Sequence, residues 1–342
     1  MVQGGRKMSK RKEVALAAGV SEATVSHVIN GTKYVSPELT MRVRKAIEEK
    51  GYRLNHAARC LATNRSGHLA LIVNNLKNPR YAEVSEAMQG QARVRGYIVS
   101  TIDINLFNFT EDAVFDLISR NIDGVFLATY IDSMEPAVRR AYEHGIKIIS
   151  GIPRFGKVLD VEYKNAIRDM VSCLAGLGHR RIAYLSGYSI KESSHEKYEN
   201  FLDAMKEQGL LADKELIVDG QPPFVADMDA GYHAMKELLG RTRDFTAVFA
   251  VNDLVAIGAM KALREQELWV PGDVSVVGCD NIQFSAYMQP ELATIRVPKA
   301  EMGRLAADML CDIINGIPCE DAILTAKFQP GGTIGGIFKG RA

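Results

Sequence analysis

The sequence lacks the signatures that most enzymes, exported proteins and membrane proteins carry. Five cysteines occur in 342 residues (Cys60, Cys173, Cys279, Cys311, Cys319), with no Cys-x-x-Cys pair and no Cys/His cluster at zinc-ligand spacing. They fall in segments that read as helix or strand interiors, so buried, reduced thiols of a cytosolic protein are expected. The basic N-terminus is followed by no apolar core of about 7–15 residues, which argues against a secretory signal. No apolar run approaches the roughly 20 residues that span a bilayer, so any membrane role is peripheral.

Catalytic motifs are missing as well. No Gly-x-Gly-x-x-Gly opens a helix after a strand, and no phosphate-loop Lys, His-Glu-x-x-His or nucleophile elbow occurs. The glycine pairs at Gly331-Gly332 and Gly335-Gly336 read as turns. His179, after Gly178, is the tempting catalytic base, but it reads as a loop hydrogen-bond partner between helix and strand. No enzyme, cofactor or metal site is expected.

A charge excess of either sign is lacking too: 42 Lys+Arg oppose 41 Asp+Glu, for a net +1. The distribution is uneven, however. Residues 1–65 carry +8 and the other 277 carry −7. A basic head on an acidic body points to an anionic partner at one end, either nucleic acid or a membrane surface.

Three short helices are predicted in the head, over 10–18, 22–29 and 37–50. Gly19 stops the first, Ser21 caps the second, and Ser36-Pro37 opens the third. Ala15 is small where two helices approach, Gly19 allows a tight turn, and Val20, Val25 and Val28 form an inward face. The outward face then shows Ser21, Glu22, Ala23, Thr24, Ser26 and His27, short polar groups suited to phosphates or base edges in a major groove. The pattern is that of a helix-turn-helix, although a three-helix bundle without a DNA role shares its capping and periodicity.

Beyond residue 65, apolar strands alternate with amphipathic helices. Strands are predicted over 69–74, 98–104, 124–129, 147–151, 181–186, 216–218, 247–251 and 274–278. Unbroken apolar strands between helices mean parallel sheets covered on both faces. So many units suggest two doubly wound parallel-sheet lobes, with the ligand beyond the carboxyl ends of the strands, in the cleft between lobes.

The head motif, with Val14-Ala15, Gly19-Val20-Ser21, Thr24-Val25-Ser26, Val28-Ile29-Asn30-Gly31 and Val35-Ser36-Pro37, resembles the LacI/GalR family of bacterial transcriptional repressors. Its Thr24-to-Asn30 stretch is similar to the purine repressor branch. The resemblance continues through Asn55-His56-Ala57-Ala58-Arg59-Cys60-Leu61, Asn78-Pro79, Gly178-His179-Arg180-Arg181-Ile182, Asn252-Asp253-Leu254, Pro271-Gly272-Asp273 and Met302-Gly303-Arg304. It implies an all-α helix-turn-helix head over 8–53, a hinge helix and linker over 54–66, and an α/β, periplasmic-binding-protein-like body over 67–342. The body's first lobe is expected over 67–162 and 294–325, and its second over 163–293 and 326–342.

The resemblance further implies a cytoplasmic bacterial homodimer, acting at the nucleoid on a near-palindromic operator in double-stranded DNA. Glu22, Ala23 and His27 are then expected at the bases, and Ser21, Thr24, Ser26, Asn30 and Lys33 at the backbone. Glu22 has a second reading, as a balance for neighbouring lysines. Asn55, Ala58, Arg59 and Leu61 fall on the hinge, with Leu61 where the family wedges the minor groove. Leu54 stands where a Pro usually opens that hinge.

For a small-molecule effector, the resemblance implies Arg80, Tyr81, Lys191, Lys197, Asn252, Asp253 and Asp280. Lys197 replaces the family's usual Arg, and Glu162-Tyr163 replaces its Asp-Asn pair. The alternative readings are that Asp253 caps a helix and that Tyr81 only packs between lobes. The basic residues Arg80, Lys191 and Lys197 favour an anionic sugar derivative over a neutral sugar, with a nucleobase corepressor as the alternative. A solute-binding protein shares the body fold but has no helix-turn-helix.

Overall fold

The computed structural model describes residues 10–30, 33–52, 65–103, 116–130, 134–190, 196–221 and 225–337. They form two compact units, divided between Ser66 and Gly67.

In the first unit α1 (Lys10–Ala18), α2 (Glu22–Asn30) and α3 (Pro37–Glu49) pack around Val14, Ala15, Ala18, Val25, Val43 and Ala46, all buried. Gly19 ends α1 at φ +64°, a left-handed conformation that suits glycine. There Val20 N–H donates to Ala15 O (3.0 Å) and Gly19 N–H to Leu16 O (3.2 Å), closing the helix end. Arg42 on α3 donates Nη2–H to Ala18 O (2.6 Å), which ties the turn to the third helix. Ser21 caps α2 by accepting from Thr24 N–H (3.1 Å), and Ser36 caps α3 by accepting from Leu39 N–H (3.4 Å). The hinge residues Asn55, Ala58, Arg59 and Leu61, with Leu54 and Cys60, lie outside the described residues.

The second unit has two six-stranded sheets. The first contains β1 (His68–Val73), β2 (Ile98–Asp103), β3 (Gly124–Leu127), β4 (Lys147–Ser150), β5 (Lys157–Glu162) and β11 (Ala322–Thr325), in the order β11-β5-β4-β3-β1-β2 and all parallel. The second contains β6 (Ile182–Leu185), β7 (Ile217–Val218), β8 (Ala247–Ala250), β9 (Ser275–Asp280), β10 (Ala293–Arg296) and β12 (Lys327–Gln329), in the order β12-β10-β9-β8-β6-β7. Only β12 runs antiparallel to its neighbour there. The central strands β3, β6, β8 and β9 are wholly buried, as expected of parallel strands covered on both faces.

The covering helices are α4 (Pro79–Val94), α5 (Glu135–Glu143), α6 (Lys164–Gly176), α7 (Glu196–Glu207), α8 (Met228–Arg241), α9 (Asp253–Glu265) and α10 (Lys299–Ile314). Across the first lobe α4 packs on α10, where Arg95 joins Asp308 (3.0 Å) and Asp312 (2.6 Å). In the second lobe α8 packs on α9 so closely that a Cβ at Gly258 would lie 1.9 Å from Met228 O.

Three points differ from the sequence-based expectation. First, β10 pairs with β9 and β12 and so belongs to the second sheet, which moves the return to the first lobe from residue 294 to beyond Arg296. Second, Cys319 sits in the connection between α10 and β11 rather than inside an element, and both it and Cys173 are half-buried. Third, Leu216 belongs to a short 3-10 turn (Lys214–Leu216) ahead of β7. His179 makes the helix-to-strand loop hydrogen bonds expected of it. Nδ1 lies 2.9 Å from Thr246 Oγ1, Nε2 lies 2.9 Å from Gly335 O, and burial lowers its pKa.

Candidate functional site

On the head, the face of α2 opposite the buried Val25 presents Ser21, Glu22 and Ala23 to solvent, with Thr24, Ser26 and His27 half-buried. The Ser21 and Thr24 hydroxyls lie 2.9 Å apart, so the cap and the first turn hold each other in place. Lys33 is exposed beyond the helix, and Tyr34 is 89% exposed. This helical face therefore carries what major-groove readout requires: short polar side chains on a rigid rod, beside a basic residue.

In the body, the ends of several strands and the start of α4 converge on one inter-lobe interior. Asn78 caps α4 by accepting from Arg80 N–H (2.9 Å), which fixes the backbone that carries Arg80 and Tyr81. Arg80 Nη1 reaches across to Asp280 Oδ1, at the end of β9, at 3.0 Å, and Asn78 Nδ2 donates to Oδ2 at 3.4 Å. Burial opposes the Arg80 charge, but Tyr163, Asp280 and Tyr81 outweigh it and hold its pKa well above the ordinary value. Its Nε is buried and has no hydrogen-bond partner among the described residues.

Tyr81 is buried and donates its hydroxyl to Asn74 Oδ1 (2.7 Å), just past β1; burial raises its pKa. Lys197, in the first turn of α7, places Nζ 4.7 Å from the centre of the Tyr163 ring and donates to Val251 O (3.2 Å). Burial works against this ammonium, while Cys279, Tyr163 and Asp280 raise its pKa more than burial lowers it. Burial pushes the Cys279 thiol up to about 12, so it is not a thiolate nucleophile at neutral pH. Asp160, the other carboxyl near Arg80, is raised by burial and accepts from Val161 N–H (2.8 Å).

The structure thus brings Arg80, Tyr81, Lys197 and Asp280 together. Asn252 and Asp253 face inward instead. Asn252 caps α9 through Val255 N–H (2.8 Å) and donates to Ala226 O (2.9 Å). Asp253, the first residue of α9, accepts from Ile282 N–H (2.8 Å), Ser285 Oγ (2.8 Å) and Thr294 Oγ1 (2.5 Å). The helix cap is therefore Asn252 rather than Asp253. Lys191 lies outside the described residues. Asn74, Asn78 and Tyr163 join the site without having been singled out for it. Among the described residues no group of His, Cys, Asp and Glu could hold a metal, and no helix is long and apolar enough to cross a membrane.

Residues 11–55 match the family of "Bacterial regulatory proteins, lacI family", and residues 171–332 match a "Periplasmic binding protein-like domain". The HTH-type transcriptional repressor PurR of Pasteurella multocida (strain Pm70) is 30% identical over 328 residues, covering 93% of this chain and 95% of that protein. The chain belongs to the LacI family. The ribose operon repressor of Escherichia coli (strain K12) is 32% identical over 313 residues, covering 89% and 92% of the two LacI-family chains. Among solved structures, a transcriptional regulator CelR–cellobiose complex is similar, with 28% identity, a TM-score of 0.70, and coverage of 96% of this chain and 100% of that one.

Proposed function

We propose that this LacI-family protein is a non-enzymatic transcriptional repressor whose homodimer binds a near-palindromic operator in the bacterial cytoplasm. A small-molecule effector in the inter-lobe cleft changes its affinity for that operator. The observation that carries the DNA reading is the solvent face of α2 on a helix-turn-helix head, in a chain that aligns with repressors over nearly its whole length.

Glu22, Ala23 and His27 meet base edges; a Glu carboxylate accepts from cytosine N4, and His donates to guanine N7 or O6. Ser21, Thr24, Ser26, Asn30 and Lys33 hold the phosphate backbone, which fixes register without reading sequence. Asn55, Ala58 and Arg59 contact the duplex, and Leu61 wedges the minor groove. Effector binding changes the spacing of the two hinge segments in the dimer, and with it the population of folded hinge.

The effector is an anionic sugar derivative. Among the described residues, the cations Arg80 and Lys197 make one ion pair between them, that of Arg80 with Asp280. An anionic group on the ligand offsets the second cation, and the Tyr163 and Tyr81 rings suit a sugar's C–H face. Thermal-shift screening of sugars, sugar acids, sugar phosphates and purines on the whole chain tests this. Stabilisation by sugar acids or sugar phosphates is expected, and stabilisation by uncharged sugars or purines alone contradicts it.

A further inference from the structure

We propose that Arg80 is the positioning residue of an inter-lobe clasp, built from the chain's own side chains around the tip of β9. The clasp holds the two lobes together independently of which effector the cleft takes. Three side chains grip two residues of that tip, and a fourth braces one of the three. From the start of α4 in the first lobe, Arg80 Nη1 donates to Asp280 Oδ1 (3.0 Å) and Asn78 Nδ2 to Oδ2 (3.4 Å). From the start of α10, Lys299 Nζ donates to Asp280 O (2.8 Å) and to Asn281 O. One turn beyond Arg80, Glu83 Oε1 lies 3.1 Å from the same Lys299 Nζ and closes the ring back onto α4.

Two features mark this contact as more than packing. Asp280 and Asn281 adopt φ of +113° and +50°, the region that L side chains rarely enter. Such a conformation persists where its surroundings over-determine it. Here the grip comes from the first lobe and the tip belongs to the second, so parting the lobes also releases the tip. The ion pair is also shielded, with the Arg80 side chain 15% exposed and that of Asp280 2%. Removing either partner leaves a buried charge without its ion-pair partner, which lowers the cost of parting the lobes and letting water in. Lys299 directly follows the β10-to-α10 crossover, which couples the grip to one of the three strands of chain joining the lobes.

The consequence for ligand binding is an exchange of partners. A ligand that needs the Asp280 carboxylate must take it from Arg80, and a ligand anion that pairs with Arg80 releases Asp280. The clasp is therefore the element on which occupancy of the cleft acts.

Hydrogen exchange read by mass spectrometry, on the full chain with no ligand added, tests the clasp apart from any effector. In Arg80→Gln, amides over 74–81 and 280–285 exchange about tenfold faster or more, because local opening no longer breaks an ion pair. Asp280→Asn gives the same acceleration, the double variant adds nothing to either, and Arg80→Lys restores most of the protection. Core amides over 182–185 and 247–250 keep their wild-type rates. Unchanged exchange in Arg80→Gln overturns the proposal. So does additivity of the two variants, or acceleration spread through the lobe cores, which assigns Arg80 to global stability. Failure of every sugar acid to bind removes the effector reading above and leaves this result unaffected.

Discussion

Asp253 Oδ1 accepts a 2.5 Å hydrogen bond from the Thr294 hydroxyl, which joins the first residue of α9 to β10 inside the second lobe. Asp253 is fully buried, and burial together with the neighbouring Asp280 pushes its pKa up to about 7, against the pull of its three donors. It therefore binds a proton more tightly folded than unfolded. Its contribution to stability is greatest below the ordinary carboxylate pKa of 3.8 and falls as pH rises to about 7. The full change is worth about 4 kcal/mol.

Asp253→Asn removes this titration. The amide nitrogen faces the Ile282 N–H and Ser285 donors, which costs about 1–3 kcal/mol at acid pH. Denaturant unfolding at a series of pH values is expected to show the wild type's advantage at pH 4 shrinking and then reversing towards pH 7, because the titration of about 4 kcal/mol exceeds the cost of the amide. A gap that stays constant contradicts the buried titration.

Gly19 gives a prediction confined to the head. A Cβ there would lie 2.6 Å from Arg42 Nη2, the group that closes α1, on a backbone at φ +64°. Gly19→Ala is expected to cost the head about 1–2 kcal/mol, lowering its melting temperature while the body's transition stays in place. Calorimetry of the full chain resolves the two transitions.

Lys197→Met keeps the side chain's apolar stem and removes its charge. The dissociation constant of a sugar acid bound between Arg80 and Lys197 is expected to rise at least about tenfold, roughly 1.4 kcal/mol. A neutral sugar is expected to change less than about twofold. Isothermal titration of both ligand classes checks this, and equal losses for both assign Lys197 to packing against Tyr163.

The sequence was most informative where a local pattern determines the outcome. The head's caps, its Gly19 turn and its inward valines are all contacts between near neighbours in the chain, and they appear where the spacing placed them. The strong apolar strands were legible for the same reason. β5 was not, because its burial alternates along Lys157–Glu162; nor were the four-residue strands β10 and β11, or β12, whose three residues Lys-Phe-Gln read as loop.

In the cleft, residue type was legible and orientation was not. Arg80, Tyr81, Lys197 and Asp280 converge in the structure, whereas Asn252 and Asp253, at equally suggestive strand-end positions, turn inward to cap and brace α9. Lys299 looks in sequence like a surface lysine at a helix start. Its burial follows from contacts with Asp280 and Glu83, about 20 and about 200 residues away in the chain, which no periodicity encodes.

The uneven charge of the chain sets a further expectation. With +8 on residues 1–65, duplex affinity is expected to fall steeply with salt, the logarithmic slope being about −0.9 for each phosphate neutralised. Deleting residues 1–62 is expected to abolish duplex binding and leave ligand-induced stabilisation of the body intact. Binding to DNA by the acidic remainder contradicts this assignment.

Operator and effector are linked through the one chain that binds both. Fluorescence anisotropy of a near-palindromic duplex, selected by binding to the full chain and titrated with and without a ligand that stabilises the body, reads this linkage. Ligand is expected to change duplex affinity by some factor, and duplex to change ligand affinity by the same factor. Ligand affinity that is identical with and without saturating duplex contradicts it.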